Sequence, residues 1–316
     1  MVSYILRRLV LLVPVILIVG VIVFALVHLT PGDPAGVILG DQATPEQVDQ
    51  LREQLGLNDP LPVQFFNWFT GILRLDFGES VFLGIPVTEA LLDRVAPTGL
   101  LTLYALIVQI VIGVPLGVMS ALRHGSVTDR VLTALAVSGA AIPNFFLGIL
   151  LILFFAVTLQ WLPSVGYVSP TEDLSGHFQR MLMPAFALGF STAGLLARLI
   201  RSSMLDVLNE DYVRTALAKG LMRRDVVVRH ALRNALIPAI TVIGTSFAAL
   251  LGGAVVTETV FTIPGMGRLV VQSIGRRDYP IIQGAVMTIA ITYVLVNLLV
   301  DILYIYADPR VRLGGK

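Results

Sequence analysis

The segment DYVRTALAKGLMRRDVVVRHALRNALIP, Asp211 to Pro238, carries Arg214, Lys219, Arg223, Arg224, Arg229 and Arg233 in a chain with 22 Lys and Arg among 316 residues. Cations at this density can meet carboxylates or phosphates through charge-assisted hydrogen bonds, but they make and break no covalent bonds by themselves. The rest of the chain offers little for bond-making chemistry. It has no cysteine, which removes thiolate catalysis, disulfides and Cys-based metal or Fe–S sites. His28, His124, His177 and His230 are too scattered for a ligand set, and there is neither an HExxH metal motif nor a clustered nucleophile, His and carboxylate. No GxxxxGK[ST] phosphate loop occurs; the only Gly-Lys pair is Gly315-Lys316. The chemistry of the cationic segment is contact with another surface.

The elements that must present it are short. From Leu205 onward, Leu208, Tyr212 and Ala216 recur at helical spacing. Glu210 and Arg214 lie four apart, in the favourable order for a helical ion pair. Gly220 is expected to stop this helix, and a second short helix starts near Asp225, four before Arg229, and continues through His230 toward Asn234, with Pro238 bending the start of the next apolar run. The region of about 204–235 thus reads as two short helices around a glycine turn. An orientation signal, or a patch for anionic lipid, needs positive charge but has no use for a helix, a stop and a second helix in fixed order.

What flanks this region is apolar. The chain is 56% hydrophobic and only 14% charged, against about 25% charged in soluble domains, and its mean hydropathy is +0.84. Six long neutral runs lie between Arg8 and Asp33, Arg94 and Arg123, Arg130 and Glu172, Arg180 and Arg198, Arg233 and Glu258, and Asp278 and Asp301. Each can hold one spanning helix of about 20 residues. The third is counted once, with QWLPSVG (160–166) as its exit turn; the fourth has only 17 uncharged residues, and Arg198 is expected to snorkel to the interface. The first is too long for a signal core of about 7 to 15 residues and is expected to be an uncleaved anchor. With both termini inside, 15 of the 22 Lys and Arg fall on the cytoplasmic side. A net charge of +1 gives no support for nucleic-acid binding.

Three divisions follow: a first membrane helix over 1–29, an extracytoplasmic region over 30–96, and a five-helix core over 97–316 that contains the cationic segment. In the outer region Thr44, Pro45 and Gln47 form a capping signal for a short helix that Gly56 stops, and the aromatics of QFFNWF (64–69) suit a membrane interface. The middles of the apolar runs hold no Asp, Glu, Lys or Arg, so an ion-coupled mechanism has few groups to work with. Neutral polar residues do lie there, among them Gln109, Asn144, Ser246 and Asn297, as helix-packing contacts or as the wall of a weakly binding passage. GVPLG (113–117) is a GxxxG pattern with Pro115 inside it, for close helix packing plus a kink, whereas IPGMG (263–267), with Pro264, Gly265 and Gly267, specifies a rigid outer turn.

RTALAKG followed by RHALRNALIP resembles the cytoplasmic EAA loop of bacterial ABC importer permeases, in the form used by the dipeptide/oligopeptide/nickel subfamily, as in its dipeptide permease B-type subunits. FTIPGMGRLVVQSIGRRDYPIIQG (261–284) resembles that subfamily's outer segment before the last helix, and the likeness includes TPGDPA (30–35). Two positions depart from the EAA consensus: the Glu-Ala-Ala triplet reads Arg214-Thr215-Ala216, and the Leu-Pro after the glycine reads Leu232-Arg233.

The resemblance implies an all-α, multi-pass protein of the bacterial inner membrane, with six transmembrane helices, the type I ABC importer permease fold and no catalytic role. In that family the loop seats a coupling helix in a cytoplasmic ATPase subunit. The contact here would centre on Thr215, Ala216, Lys219, Gly220 and Leu221, with Arg214, Arg223 and Arg224 at its edge. Pro264, Gly265 and Gly267 would belong near the outer gate, and Arg268, Arg276, Arg277 and Asp278 to the docking site of a binding protein or only to a solvated rim. The implied partners are a second permease, two ATP-binding subunits that hold ATP and Mg, an extracytoplasmic substrate-binding protein and membrane lipid; this chain holds no cofactor. The implied cargo is a di- or oligopeptide, with nickel chelates, glutathione and haem also within the subfamily. A stand-alone channel or ion-coupled carrier is the alternative reading.

Overall fold

A computed structural model describes residues 2–29, 34–39, 43–54 and 56–307. Most of TPGDPA, and Arg310, Arg312 and Lys316 from the orientation count, lie outside them. The described elements are helices: α1 Val2–Leu29, α2 Pro34–Leu39, α3 Pro45–Gln54, α4 Leu61–Leu73, α5 Val87–Leu122, α6 Val127–Ala141, α7 Asn144–Leu151 with a π-helical continuation Ile152–Thr158, α8 Leu174–Leu208, α9 Asp211–Ala218, α10 Arg223–Asp225 with a π turn Val226–Ala231, α11 Leu232–Phe261, α12 Met266–Arg276 and α13 Tyr279–Ala307. Among the described residues, Val87–Leu122, Leu174–Leu208, Arg223–Phe261 and Tyr279–Val300 are each long and apolar enough to cross a membrane, and α1 contributes the shorter apolar stretch Val10–Leu26.

The third neutral run differs from the single helix expected of it. It is a broken pair, Val127–Ala141 and Asn144–Thr158, bent by 103°. Pro143 is the cause. A residue before proline is pushed out of the helical region, and Ile142 is extended at φ −84°, ψ 122°. The run then leaves helical geometry near Gln160, where the exit turn was expected.

The chain divides into two compact units, Met1–Pro97 with Pro264–Val294, and Thr98–Ile263 with Leu295–Lys316. In the first, the capping signal is realised reciprocally: Gln47 N–H donates to Thr44 Oγ1 at 3.4 Å and Thr44 N–H to Gln47 Oε1 at 3.0 Å. QFFNWF lies in α4, and much of it is occupied within the protein. Phe24 of α1 meets Phe65 edge-on at 5.5 Å and Trp68 at 5.8 Å, while a Cβ on Gly20 would sit 2.9 Å from the Phe69 ring. Phe66 alone of these rings is strongly exposed.

The second unit is held by close backbone approach. A Cβ on Gly113 would lie 2.9 Å from the Ala193 carbonyl oxygen, and one on Gly117 2.5 Å from that of Ala197. The GxxxG pattern is therefore the seam between α5 and α8, where van der Waals contact replaces the hydrophobic drive that lipid cannot supply. Gly139 and Gly194 do the same between α6 and α8, against Phe190 and Ala136. Leu196, Ile200 and Met204 of α8 then pack with Ala231, Ala235 and Ala239, which fixes α8 against the start of α11.

Candidate functional site

The cationic segment starts where α8 ends. After Asn209 and Glu210 the chain turns into α9, whose inward residues Val213 and Ala216 pack with Val226, Val207 and Leu208. Asn234 Nδ2 donates to Tyr212 Oη at 2.7 Å, tying α9 to α11. The helix closes as a Schellman motif: Leu221 N–H donates to the Ala216 carbonyl at 3.3 Å and Gly220 N–H to that of Leu217 at 2.9 Å. This closure needs a left-handed residue, and Gly220 has φ +81° with open space where a Cβ would stand. Gly220 is thus the stop expected of it.

Three local expectations differ. Arg214 pairs with Asp211 at 3.6 Å instead of Glu210, which precedes the helix as its N-cap; both partners are exposed, so the pair contributes little. Asp225 and Arg229 do approach, at 3.9 Å. The second helix is not short, because Arg223 begins a helical path that passes through the π turn and runs on as α11, with Pro238 inside it. Ala216 is only 8% exposed and faces inward. Arg214, Thr215, Lys219, Gly220, Leu221, Arg223 and Arg224 are exposed, together with Leu217 and Met222, which the sequence reading did not single out. The outcome is a rigidly closed helix end that offers an apolar tip amid cations.

Three of the four polar residues singled out in the spans, Gln109, Asn144 and Ser246, make hydrogen bonds inside the protein. Buried Gln109 donates through Nε2 to Ser246 Oγ at 2.8 Å, and Ser246 donates to the Val242 carbonyl at 2.7 Å. Asn144 donates to the Gly253 carbonyl at 3.1 Å and to Thr257 Oγ1 at 3.3 Å. Asn297 is half-buried in α13. Gln109→Ala is expected to leave uptake within about twofold of wild type while lowering heat stability by about 0.5 to 1 kcal/mol, in line with interhelical hydrogen bonds in membranes. Transport assays beside melting in detergent check this; a collapse of uptake at unchanged stability would assign Gln109 to the passage.

In the outer segment, Pro264 and Gly265 precede α12, and Gly265 is its extended N-cap. Gly267 is already helical and buried, so the turn is shorter than IPGMG suggested. Arg268 is half-buried and engaged, while Arg276 and Arg277 are exposed, with the Arg276 guanidinium 3.7 Å above the Phe82 ring. Asp278 is 2% exposed. It accepts from Ser80 Oγ at 2.5 Å and from Phe82 N–H at 3.2 Å, holding the loop before α5. Asp278→Ala leaves that hydroxyl and amide without their acceptor and is expected to cost about 1 to 3 kcal/mol, read as a lower melting midpoint.

Sequence reasoning missed two buried carboxylates. Glu258 accepts from Thr98 Oγ1 at 2.5 Å near the end of α11. Asp129, in the first turn of α6, is gripped by Arg201 of α8, Nε to Oδ1 and Nη2 to Oδ2 both at 2.8 Å. Local signals announced part of this, since Ser126 caps α6 by accepting from Asp129 N–H at 3.2 Å. The partner, 72 residues away, had none.

Helices long and apolar enough to cross a membrane thus flank an exposed, glycine-closed cationic elbow. The chain belongs to the family described as the binding-protein-dependent transport system inner membrane component, whose model matches residues 113–313, and a companion model for the N-terminal part of such components matches 1–93. It is 48% identical over 309 residues to a probable peptide ABC transporter permease of Sinorhizobium fredii (strain NBRC 101917 / NGR234), covering 98% of this chain and 99% of the relative. It is 45% identical over 312 residues to a glutathione transport system permease of Salmonella typhi, covering 99% of each. Among solved structures it is similar to a chain of the MetNI methionine ABC transporter in an inward-facing conformation, with TM-score 0.57 and 19% identity, over 70% of this chain and 97% of that one. The protein is an ABC importer permease of the dipeptide/oligopeptide type, a multi-pass protein of the bacterial inner membrane.

Proposed function

We propose that this chain forms, with a second permease, the pathway along which di- or oligopeptides released by an extracytoplasmic binding protein cross the membrane. Six spans serve it: α1, α5, the bent α6–α7 pair, α8, the helix Arg223–Phe261 and α13, with both termini in the cytoplasm. The chain itself is not catalytic; two partner ATPases hold ATP and Mg, and α9 is the helix they push.

One observation carries this reading: the exposed tip Leu217, Lys219, Gly220, Leu221 and Met222 is closed into a fixed shape and seated on α8 through Val213 and Ala216. A groove on the ATPase can grip the apolar side chains, while Arg214, Arg223 and Arg224 meet acidic groups at its rim. Small Thr215 and Gly220 permit close approach. Pro264, Gly265, Gly267 and Arg268 fall to the outer gate, Arg276 and Arg277 face the binding protein, and Asp278 shapes the loop beneath them.

The test is reconstitution in vesicles with the products of neighbouring genes. Labelled peptide should accumulate only when the second permease, both ATPases, the binding protein and ATP are all present. Flux by the purified chain alone, driven by an ion gradient, would establish the carrier reading instead.

A further inference from the structure

Arg201 lies seven residues, about 10 Å of helix, before the end of α8, from which α9 departs. Its guanidinium forms a two-pronged bond with Asp129, the geometry that fixes planar guanidinium and carboxylate against each other. The carboxylate is held from every side. Oδ1 also accepts from the Ser120 hydroxyl near the end of α5 and from Thr133 Oγ1 at 3.4 Å; Oδ2 accepts from Gly125 N–H in the α5–α6 turn at 3.0 Å and approaches His124 Nδ1 at 3.3 Å. One buried carboxylate therefore joins the ends of α5 and α6, and the turn between them, to α8. Above it, Gly113, Gly117 and Gly194 leave no slack between the same helices.

We infer that Asp129 and Arg201 are positioning residues that form a strut, making the α5–α6 hairpin move as one body with α8 and the coupling helix. The idea rests on the coupling role proposed for α9. A displacement delivered at α9 reaches α8 directly, through Val207 and Leu208. Without the strut, the α5–α6 turn and α5 would keep only the His124–Arg201 and Tyr104–His177 hydrogen bonds to α8, at 3.0 and 3.2 Å, beside van der Waals contact, and the hairpin would lag. Close-packed interiors transmit displacement because they yield little, and a bidentate ion pair whose carboxylate takes further donors adds a directional link that resists sliding.

The measurement is substrate taken up per ATP hydrolysed by the complete reconstituted transporter, with binding protein present. Asp129→Asn is expected to lower that ratio at least fivefold while ATP hydrolysis persists, and the charge exchange D129R/R201D to recover part of it. A purely local stabilising role would lower both activities together and leave the ratio alone. The chain contains no cysteine, so D129C/R201C adds its only two thiols; bridging them with a short bis-thiol linker should restore the ratio that the reduced form lacks. Should Asp129→Asn fail to accumulate, Arg201→Lys, which keeps the charge but loses the fork, decides with an expected fall of at least threefold. An unchanged ratio in the variant beside a wild type that couples normally overturns the strut alone. A wild-type complex without ATP-driven uptake overturns the coupling role, and the strut with it.

Discussion

Gly220→Glu is expected to reduce ATP-driven uptake more than tenfold while the protein reaches the membrane at its normal level. Two physical effects act at one position. The Schellman closure places residue 220 at φ +81°, where a side chain costs about 1–2 kcal/mol in left-handed strain. That strain weakens the geometry of Leu217, Lys219 and Leu221 but not α9 itself, which Val213 and Ala216 anchor. A carboxylate would also stand next to Lys219 and near Arg223 and Arg224 in the chain, cancelling part of the positive rim. Open space around the missing Cβ means that no clash with the protein's own atoms contributes.

Substitutions at the same site separate the two effects. Gly220→Asn tolerates the left-handed region and should keep uptake within about threefold, whereas Gly220→Val combines strain with bulk and should fall between Asn and Glu. Uptake in membrane vesicles, normalised to immunoblot levels, gives the ranking. Normal uptake with Glu at 220 removes this elbow from the coupling path.

The contrast between what was readable and what was not follows from interaction range. Gly220 as a stop, the Thr44–Gln47 cap and the GxxxG seam are written in neighbours three or four residues apart, and sequence reading reached all of them. The break at Pro143 is as local, but the length of the neutral run points to one helix and only the proline inside it announces the bend. The inward turn of Ala216 follows from Val226, which packs against it from beyond the glycine turn. Arg201 looked like an orientation charge, since a guanidinium near a helix end reads the same whether it meets water or a carboxylate 72 residues away. The burial of Asp278 likewise depends on Ser80, 198 residues distant. Charged residues are the ones whose meaning a membrane protein's sequence conceals most, because cost of insertion explains why they are rare but not which partner each has found.

Gly194→Leu is the second large effect. Here the obstacle is backbone: a Cβ on Gly194 would overlap the Ala136 carbonyl oxygen and stand 3.0 Å from its carbon and 3.5 Å from the Ala140 nitrogen. A side chain in the way could rotate, but a helical carbonyl cannot without breaking its own hydrogen bond. Gly139, opposite Phe190, closes the same seam from the other helix. The helices must separate, and overpacking of this kind costs about 1–3 kcal/mol or more. Separation would also pull Asp129 away from Arg201, since both lie further along the same two helices, so the damage would extend beyond one contact. The expected result is a melting midpoint lowered by several degrees in detergent, with uptake lost. Gly252→Ala is the control. Nothing lies within 4 Å of a Cβ there, and in mid-helix alanine gains up to about 1 kcal/mol over glycine, so stability should hold or rise. If Gly194→Leu melts like wild type, α6 and α8 are not in backbone contact, and a rigid hairpin that follows α8 loses its packing basis.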